Sequence, residues 1–407
     1  GRVDPRDGIV HFERASADLP FGRADAVMTF IVSEDGRRLA GAAHISSAPI
    51  NELMKAWPVA FVYQPRNAIR ETVMGGVLVS ADLDFALTPR MLDGDPSTNL
   101  LIDGGLTVDA TVRHAVLSAP GLPLAAQGLD GVVAVRDRRL TAEFGGGRLP
   151  VGEGSGFAIT EATLRIPETG PDAKARISAS VEGDLSAVVE LADELKIEAA
   201  EGFDVSPEDV TGTVSAVARL TTPLGHAVTM DQRSWSIDAL LRDASSSVPI
   251  GGQVISRANL EVLLNARRVA ARGRATIDGL TIDVNYNELF AGGKSGAARF
   301  VITDEERARR GFDTGNVLRG PVPLTVEQTA TQQRTVSADL TGASISLPVF
   351  RKAAGVAMEG EAVVNGDTDA LDITEIRLDG AGAFFAGNLA IRDGALRTAT
   401  INQLALS

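Results

Sequence analysis

Four histidines, a run of alternating polar residues, two glycine-rich stretches and one isolated serine are the places where this chain could hold chemistry. Each pattern fails at a definable point. His11, His44, His114 and His226 are far apart in sequence, and none has a histidine or carboxylate at helical metal-ligand spacing. Asn365, Asp367 and Asp369 open like a calcium loop. Ala370 then stands where glycine must make the sharp turn, and Ile376 where a bidentate glutamate is needed, so a hairpin turn is expected. Gly145 to Gly147 and the stretch Gly152, Glu153, Gly154, Ser155, Gly156 lack the Gly-Lys-Ser/Thr ending and the following helix of a phosphate loop, and read as turns. Ser155 has no neighbouring histidine or lysine in sequence to activate it. Asp82 and Asp84 share one face of a strand; such a pair can serve glycoside hydrolysis, but here it reads as a solvated face. Trp57, next to Pro58, could dip into a membrane interface or cap the end of a sheet. The chain has no cysteine, which excludes disulfides and thiolate chemistry. No catalytic constellation, metal or cofactor is expected, so the reading is not an enzyme.

The elements that carry these residues announce themselves by alternation. Leu106, Val108, Ala110 and Val112 are separated by Thr107, Asp109 and Thr111. Ala175, Ile177, Ala179 and Val181 are separated by Arg176, Ser178 and Ser180. Ile282, Val284 and Tyr286 repeat the pattern around Asp283 and Asn285, as do Val336, Ala338 and Leu340 around Ser337 and Asp339. Successive side chains of a strand point to opposite faces, so each run has one dry face and one wet face. That is the signature of an antiparallel sheet covered on one side. Turn signals such as Glu34-Asp35-Gly36, Asp103-Gly104-Gly105, Asp278-Gly279, Asn365-Gly366-Asp367 and Arg392-Asp393-Gly394 punctuate the runs at hairpin spacing.

Helical pattern is scarce. The sequence predicts short helices over Asn51–Trp57 and Pro65–Met74, and a better one over Ser186–Lys196 with Ser186 as N-cap and Val188, Leu191 and Leu195 on one stripe. A charged helix or turn over Asp304–Arg310 and a helical turn at Ser206 to Asp209 complete the set. No strict repeat is present, which disfavours a β-helix or propeller. What remains is an irregular, elongated β segment over residues 1–407 or a set of β-sandwiches, with short helical insertions near 49–75 and 186–198.

Composition narrows the partners. Acidic residues outnumber basic ones 53 to 39, a net charge of −14, which argues against a nucleic-acid partner and against simple docking on an anionic membrane. Aromatic residues are only 4% of the chain, so the dry face is aliphatic. Such a face suits flexible hydrocarbon and equally suits a core of small side chains. No run approaches the roughly 18 apolar residues of a spanning helix. The chain starts at Gly1 and is strand-like by Ile9–Phe12, and it ends just after the strand-like Ile401–Leu406. Both ends look like cuts through a longer protein, so that any membrane anchor would fall outside this segment.

Three stretches together resemble the large AsmA-like proteins of Gram-negative bacteria, specifically the YhdP-type subgroup. The first is Trp57-Pro58, a short helix through Ile69-Arg70-Glu71, then Gly75-Gly76 entering a strand at Val77-Leu78. Ala68 and Thr72 depart from the Trp and Asn common in that family. The second is Gly183-Asp184-Leu185 with an apolar helix, then Asp209-Val210-Thr211-Gly212. The third runs from Leu347-Pro348 through Arg351-Lys352-Ala353-Ala354-Gly355-Val356, with Ala353 replacing a Pro. The resemblance implies a long, twisted sheet curved into a U-shaped hydrophobic groove. It implies bridge-like lipid transfer in the periplasm, with phospholipid or another acyl-chain lipid carried between an inner membrane holding the anchor and the outer membrane or its proteins. Leu106, Val108, Ala110, Val112, Ile177, Ala179, Val181, Ile282, Val284, Val336, Ala338 and Leu340 are then the candidate groove residues. Two alternatives stand beside it: an assembly factor that pairs its sheet edge with client polypeptides, and a structural β-sheet protein of the envelope.

Overall fold

The computed structural model describes the chain apart from residues 1, 5–7, 20–21, 57–68, 71, 93–103, 119–123, 153, 169–172, 196–204, 225–227, 230–231, 251, 312–313, 330–332, 349, 367–369, 393–394 and 407. The protein is mainly β. A long antiparallel sheet of 22 strands, which does not close, accounts for most of it, and a three-stranded sheet accompanies it. The chain divides into two compact units, residues 1–238 and 239–407.

In the first unit the strands are β1 (Arg2–Asp4), β2 (Ile9–Leu19), β3 (Gly22–Ser33), β4 (Gly36–Pro49), β5 (Val73–Leu87), β6 (Leu106–Ser118), β7 (Ala125–Arg136), β8 (Arg139–Val151), β9 (Ser155–Ile166), β10 (Lys174–Asp184) and β11 (Val210–Pro223). Each pairs antiparallel with the next in sequence. Such a meander follows from short turns and two-faced strands, because no crossover is needed to return the dry face to the same side.

The helices of this unit are excursions between paired strands. Helix Ile50–Ala56 leaves directly from β4, helix Pro89–Leu92 follows β5, and helix Leu185–Glu194 follows β10. The last begins earlier than its sequence suggests. Asp184 still pairs with Thr213 in the sheet and is the N-cap residue, so Ser186 falls inside the first turn. Its fully buried residue is Ala187; Val188, Leu191 and Leu195 are half-buried. The helix expected up to Met74 stops short: among its described residues Ile69, Arg70 and Thr72 are helical, while Val73 and Met74 open β5. Gly75 and Gly76 therefore lie within that strand. At Gly76 (φ +120°) an added Cβ would stand 2.7 Å from Ala115 Cα, so the neighbouring strand can approach only because the side chain is missing. Gly145 to Gly147, expected in a turn, lie inside β8. Trp57, Pro58, Glu153, His226, Asp367 and Asp369 lie outside the described residues.

Strand β12 (Ser234–Ser246) leads into the second unit, made of β13 (Ile255–Asn265), β14 (Arg268–Ile277), β15 (Leu280–Leu289), β16 (Lys294–Ile302), β17 (Leu318–Arg319), β18 (Val322–Gln328), β19 (Arg334–Asp339), β20 (Ser344–Leu347), β21 (Phe350–Lys352), β22 (Met358–Gly366), β23 (Ala370–Gly380), β24 (Ala383–Arg392) and β25 (Ala395–Leu406). From β13 onward the long sheet again pairs neighbours, with β16 passing to β18 and β19 to β22. The strands left out, β17, β20 and β21, form the small sheet. Helix Asp304–Arg309 is capped by Thr303, whose hydroxyl accepts the Glu306 N–H.

Candidate functional site: the apolar face of the sheet

The register turns the alternation of single strands into rows that cross many strands. In the first unit one row runs through Ala17, Ala24, Ile45, Ala81, Ala110, Val133, Ala142, Leu164, Ile177 and Leu220, each directly opposite the next from β2 to β11. A second joins Leu78, Val112, Gly131, Phe144, Ala162, Ala179 and Ala218. A third joins Ala43, Leu83, Val108, Val135, Leu140 and Ile166. Gly131 is the exception that keeps the second row flat: an added Cβ there would stand 2.6 Å from Phe144 Cδ1, so the ring covers its neighbour's backbone.

The second unit repeats the arrangement. Leu260, Gly273, Val284, Ala298, Val326, Val336 and Ala362 form one row. Phe300, Leu324, Ala338, Gly360, Leu378, Phe385 and Leu404 form another. Val108, Ala110, Val112, Ile177 and Ala179 fall on the rows of the first unit, and Val284, Val336 and Ala338 on those of the second. Val181 faces Ile159 and Ala216, Leu106 faces Phe85, and Ile282 faces Ala275. Leu106, Val112 and Leu340 are buried, and the other nine candidates are half-buried. Leu340 lies just past the end of β19, under the small sheet.

Bulges hold the face together where strict alternation would break it. Val112 and Ala115 are three residues apart, yet both are buried in the same cluster. Between them His114 takes φ +52°, the register shifts, and the His114 N–H donates to Asp130 Oδ1 at 2.8 Å. The same device appears at Asp243, whose N–H donates to Asn259 Oδ1 at 3.2 Å, at Arg257 to Ser245 Oγ at 3.0 Å, and at Glu375 to Asn388 Oδ1 at 3.1 Å. In each, a polar side chain on the adjoining strand takes up an N–H that the ladder leaves free. No glycine marks these four residues, so nothing in the sequence pointed to them.

The opposite face is a charge ladder. His44 Nδ1 lies 2.7 Å from Asp82 Oδ1, Asp82 faces Asp109, and Arg136 donates to Asp109 at 2.5 Å. Asp109 and Arg136 sit on adjacent strands, where opposite charges offset the like-charge pairing of Asp82 with Asp109. In the second unit Arg272 pairs with Glu261 and Arg274 with Asp283. The Arg274 hydrogen bond, reinforced by the charges of Arg274 and Arg299, holds the Asp283 carboxyl below the usual range. In the first unit Arg23 and Ser16 likewise hold Asp25 at about 2. On the other side of β15, in line with Ile282 and Val284, burial and the Glu288 carboxylate push the Tyr286 phenol up to about 12. These are exposed or half-exposed structural pairs. His11 lies 2.8 Å from Thr29 Oγ1, and no metal-holding group occurs among the described residues. Ser155 meets a carboxylate that sequence spacing did not suggest: its hydroxyl bonds Glu190 on helix Leu185–Glu194 and lies 3.0 Å from Val151 O, tying that helix to the β8 to β9 turn. A recess lined by Arg136, Asp137, Arg138, Arg139, Pro167 and Glu168 includes two ion-paired arginines, Arg138 with Glu168 at 2.9 Å and Arg136 with Asp109 at 2.5 Å.

Each unit covers part of its apolar face in its own way. In the first, Ile50, Leu53 and Met54 of helix Ile50–Ala56 pack with Leu78, Ala81 and Val112. Met91 and Leu92 of the next helix pack with Leu87 and Leu106. In the second, Leu318, Ile345 and Phe350 of the small sheet pack against the buried cluster of Val322, Leu340, Ala343 and Met358, as do Leu324, Ala338 and Leu378 of the long sheet. There Lys352 is buried, and its ammonium donates to the carbonyls of Leu340, Thr341, Ala343 and Ala353 at 2.8, 3.4, 2.6 and 3.2 Å. Burial lowers its pKa below the ordinary lysine value. Arg307, also buried, reaches Gly320 O at 3.1 Å and Leu318 O at 3.3 Å and pairs with Asp304, which fixes β17.

A scan of family models and searches of curated proteins and of solved structures find no match to this chain.

Proposed function

We propose that this chain is a lipid-carrying segment whose aliphatic face holds acyl chains while head groups stay in water. The observation that carries the reading is the length of the rows. Small and aliphatic side chains face one way across ten consecutive strands of the first unit and, from Leu260 to Ala362, across seven of the second, and most of the candidate positions remain half-buried. A closed sandwich hides such a face against a second sheet. Each CH₂ moved from water onto it contributes about 0.8 kcal/mol, so a two-chain lipid would hold strongly while a uniform surface let it slide. The resemblance to the AsmA-like proteins supplies the setting: a bridge in the periplasm that conducts phospholipid between the inner and outer membranes, anchored outside this segment and performing no catalysis.

Native mass spectrometry of the purified chain, with lipid extraction, tests this. Co-purifying phospholipid that is lost on replacing Val108 and Val284 with Asp supports the reading. A folded protein that never carries lipid sinks it.

A second reading, pairing of a sheet edge with client polypeptides, is favoured by β25. Its one described partner is β24, and Ile401, Leu404 and Leu406 along it are largely exposed. Photocrosslinking from Val108 or Ile282 separates the two, since a conduit captures lipid there and a client-binding factor captures polypeptide.

A further inference from the structure

Helix Ile50–Ala56 occupies the surface that the lipid reading assigns to acyl chains. We propose that it is a displaceable plug: it seats on the first unit's apolar face when that face is empty, and lifts when an acyl chain takes the same place. This rests on the lipid reading and adds to it a means of regulating access.

Four observations converge. Beneath the helix the face is dry, with Leu78, Ala81 and Val112 at 5%, 3% and 6% exposure. The row through Ala81 runs on across Ala110, Val133, Ala142, Leu164 and Ile177, of which Ala142 is buried and the others half-buried. The helix and a chain lying along the row through Ala81 therefore exclude one another.

The helix presents Ile50, Leu53 and Met54 to the sheet, positions one helical turn apart, while Asn51 and Lys55 are exposed. The Lys55 ammonium pairs within the helix, with Glu52 at 2.6 Å, so lifting the helix leaves that ion pair intact.

Seven residues are too few for a helix stable by itself, so this one depends on its seat. The sheet does not depend on the helix in return. Strands β4 and β5, which flank the excursion, pair directly, with Pro49 opposite Val77 and Ala48 opposite Leu78. The ladder closes beneath the helix, and the helix can leave without a strand hydrogen bond being lost. Met54, unbranched and polarisable, suits a contact that must be made and remade.

The chain has no cysteine, so Met54→Cys gives a single thiol whose reaction with a maleimide reports the helix position. The probe is a fluorescent C16 fatty acid, used with the full chain. A plug predicts that saturating probe speeds Met54→Cys labelling at least several-fold. It predicts also that Lys55→Pro, which weakens the helix from its wet side and leaves every apolar residue in place, tightens probe binding by about tenfold, because less of the protein is held closed. Met54→Glu should do the same, and circular dichroism checks that the sheet persists. A wild-type chain that binds weakly beside a Lys55→Pro chain that binds well also supports the plug. Probe that binds while the thiol stays protected and Lys55→Pro leaves affinity unchanged overturns it and leaves the lipid reading standing. Failure of every variant and of the wild type to bind the probe overturns both.

Discussion

The two units solve one problem with different parts. Both leave an aliphatic face on an antiparallel sheet, and both lay a short element over part of it. In the first unit the cover is helix Ile50–Ala56, seated by Ile50, Leu53 and Met54. In the second it is the small sheet β17, β20 and β21, where the apolar contacts of Leu318, Ile345 and Phe350 are joined by two buried cations. Lys352 gathers four carbonyls, and Arg307 ties β17 to the helix before it. Apolar contact is non-directional and can be exchanged for another apolar partner at little cost. A buried ammonium among carbonyls has no such substitute, because without those acceptors the charge would be left dry and unpaired. The comparison teaches that one cover is held by apolar contact alone and the other by apolar contact together with buried charge, the difference on which the proposed plug depends.

The largest way to break this contrast is Lys352→Met. It removes the ammonium from Ala343 O, its shortest contact at 2.6 Å, while Leu340 O, Thr341 O and Ala353 O keep the N–H groups of Ala343, Gly355 and Val356. A loss of about 3 kcal/mol is expected, measured by denaturant unfolding, with faster amide exchange at Ser344–Lys352. A variant as stable as the parent would remove the distinction between the covers. Next comes Met54→Ala in the first unit, with an expected loss of about 2 kcal/mol. Amide exchange should speed locally over Ile50–Ala56 and stay slow in β4 and β5, since those strands pair without the helix; exchange that rises equally in all three would show the helix to be part of the core.

A smaller effect tests what the units share. Asp130→Ala removes the acceptor from the His114 N–H and should cost about 1 kcal/mol, with Asn388→Ala behaving alike at Glu375. Equal losses at the two sites would mark a common device, and a loss at one alone would not.

The wet faces should differ least. The Asp25 and Asp283 carboxyls are held below their ordinary pKa by Arg23 and Arg274. A carboxyl depressed in the folded state stabilises it above the unfolded pKa, and that contribution is lost as pH falls through the folded value. For Asp25 the window runs from about 4 down to about 2. Acid titration of stability, repeated with Arg23→Gln and Arg274→Gln, should show a small loss over that range in the parent and less in each variant. Both pairs are solvated, so 1 M salt should shrink the difference further.

The strands were legible because their cause is local. Leu106 to Val112 and Ala175 to Val181 alternate without interruption, and a two-residue period leaves only a sheet with one dry face. The helix boundaries were less legible, because pairing overrode propensity: Asp184 stays in the sheet opposite Thr213, and Val73 and Met74 are drawn into β5. The bulges at His114, Asp243, Arg257 and Glu375 left no local trace. Each exists because an acceptor on another strand, from 12 to 16 residues away, receives the freed N–H. Lys352 read as one basic residue among many in sequence. Its burial appears only when the small sheet folds over it.

The sequence by itself determined that this chain is antiparallel β-structure with an aliphatic side and a charged side, since side-chain direction along a strand is set by the backbone alone. Only the tertiary structure decided which strands align their apolar residues into rows, where the bulges preserve those rows, and what covers them. Those outcomes depend on register between strands and on packing between elements distant in sequence, and no local pattern encodes either.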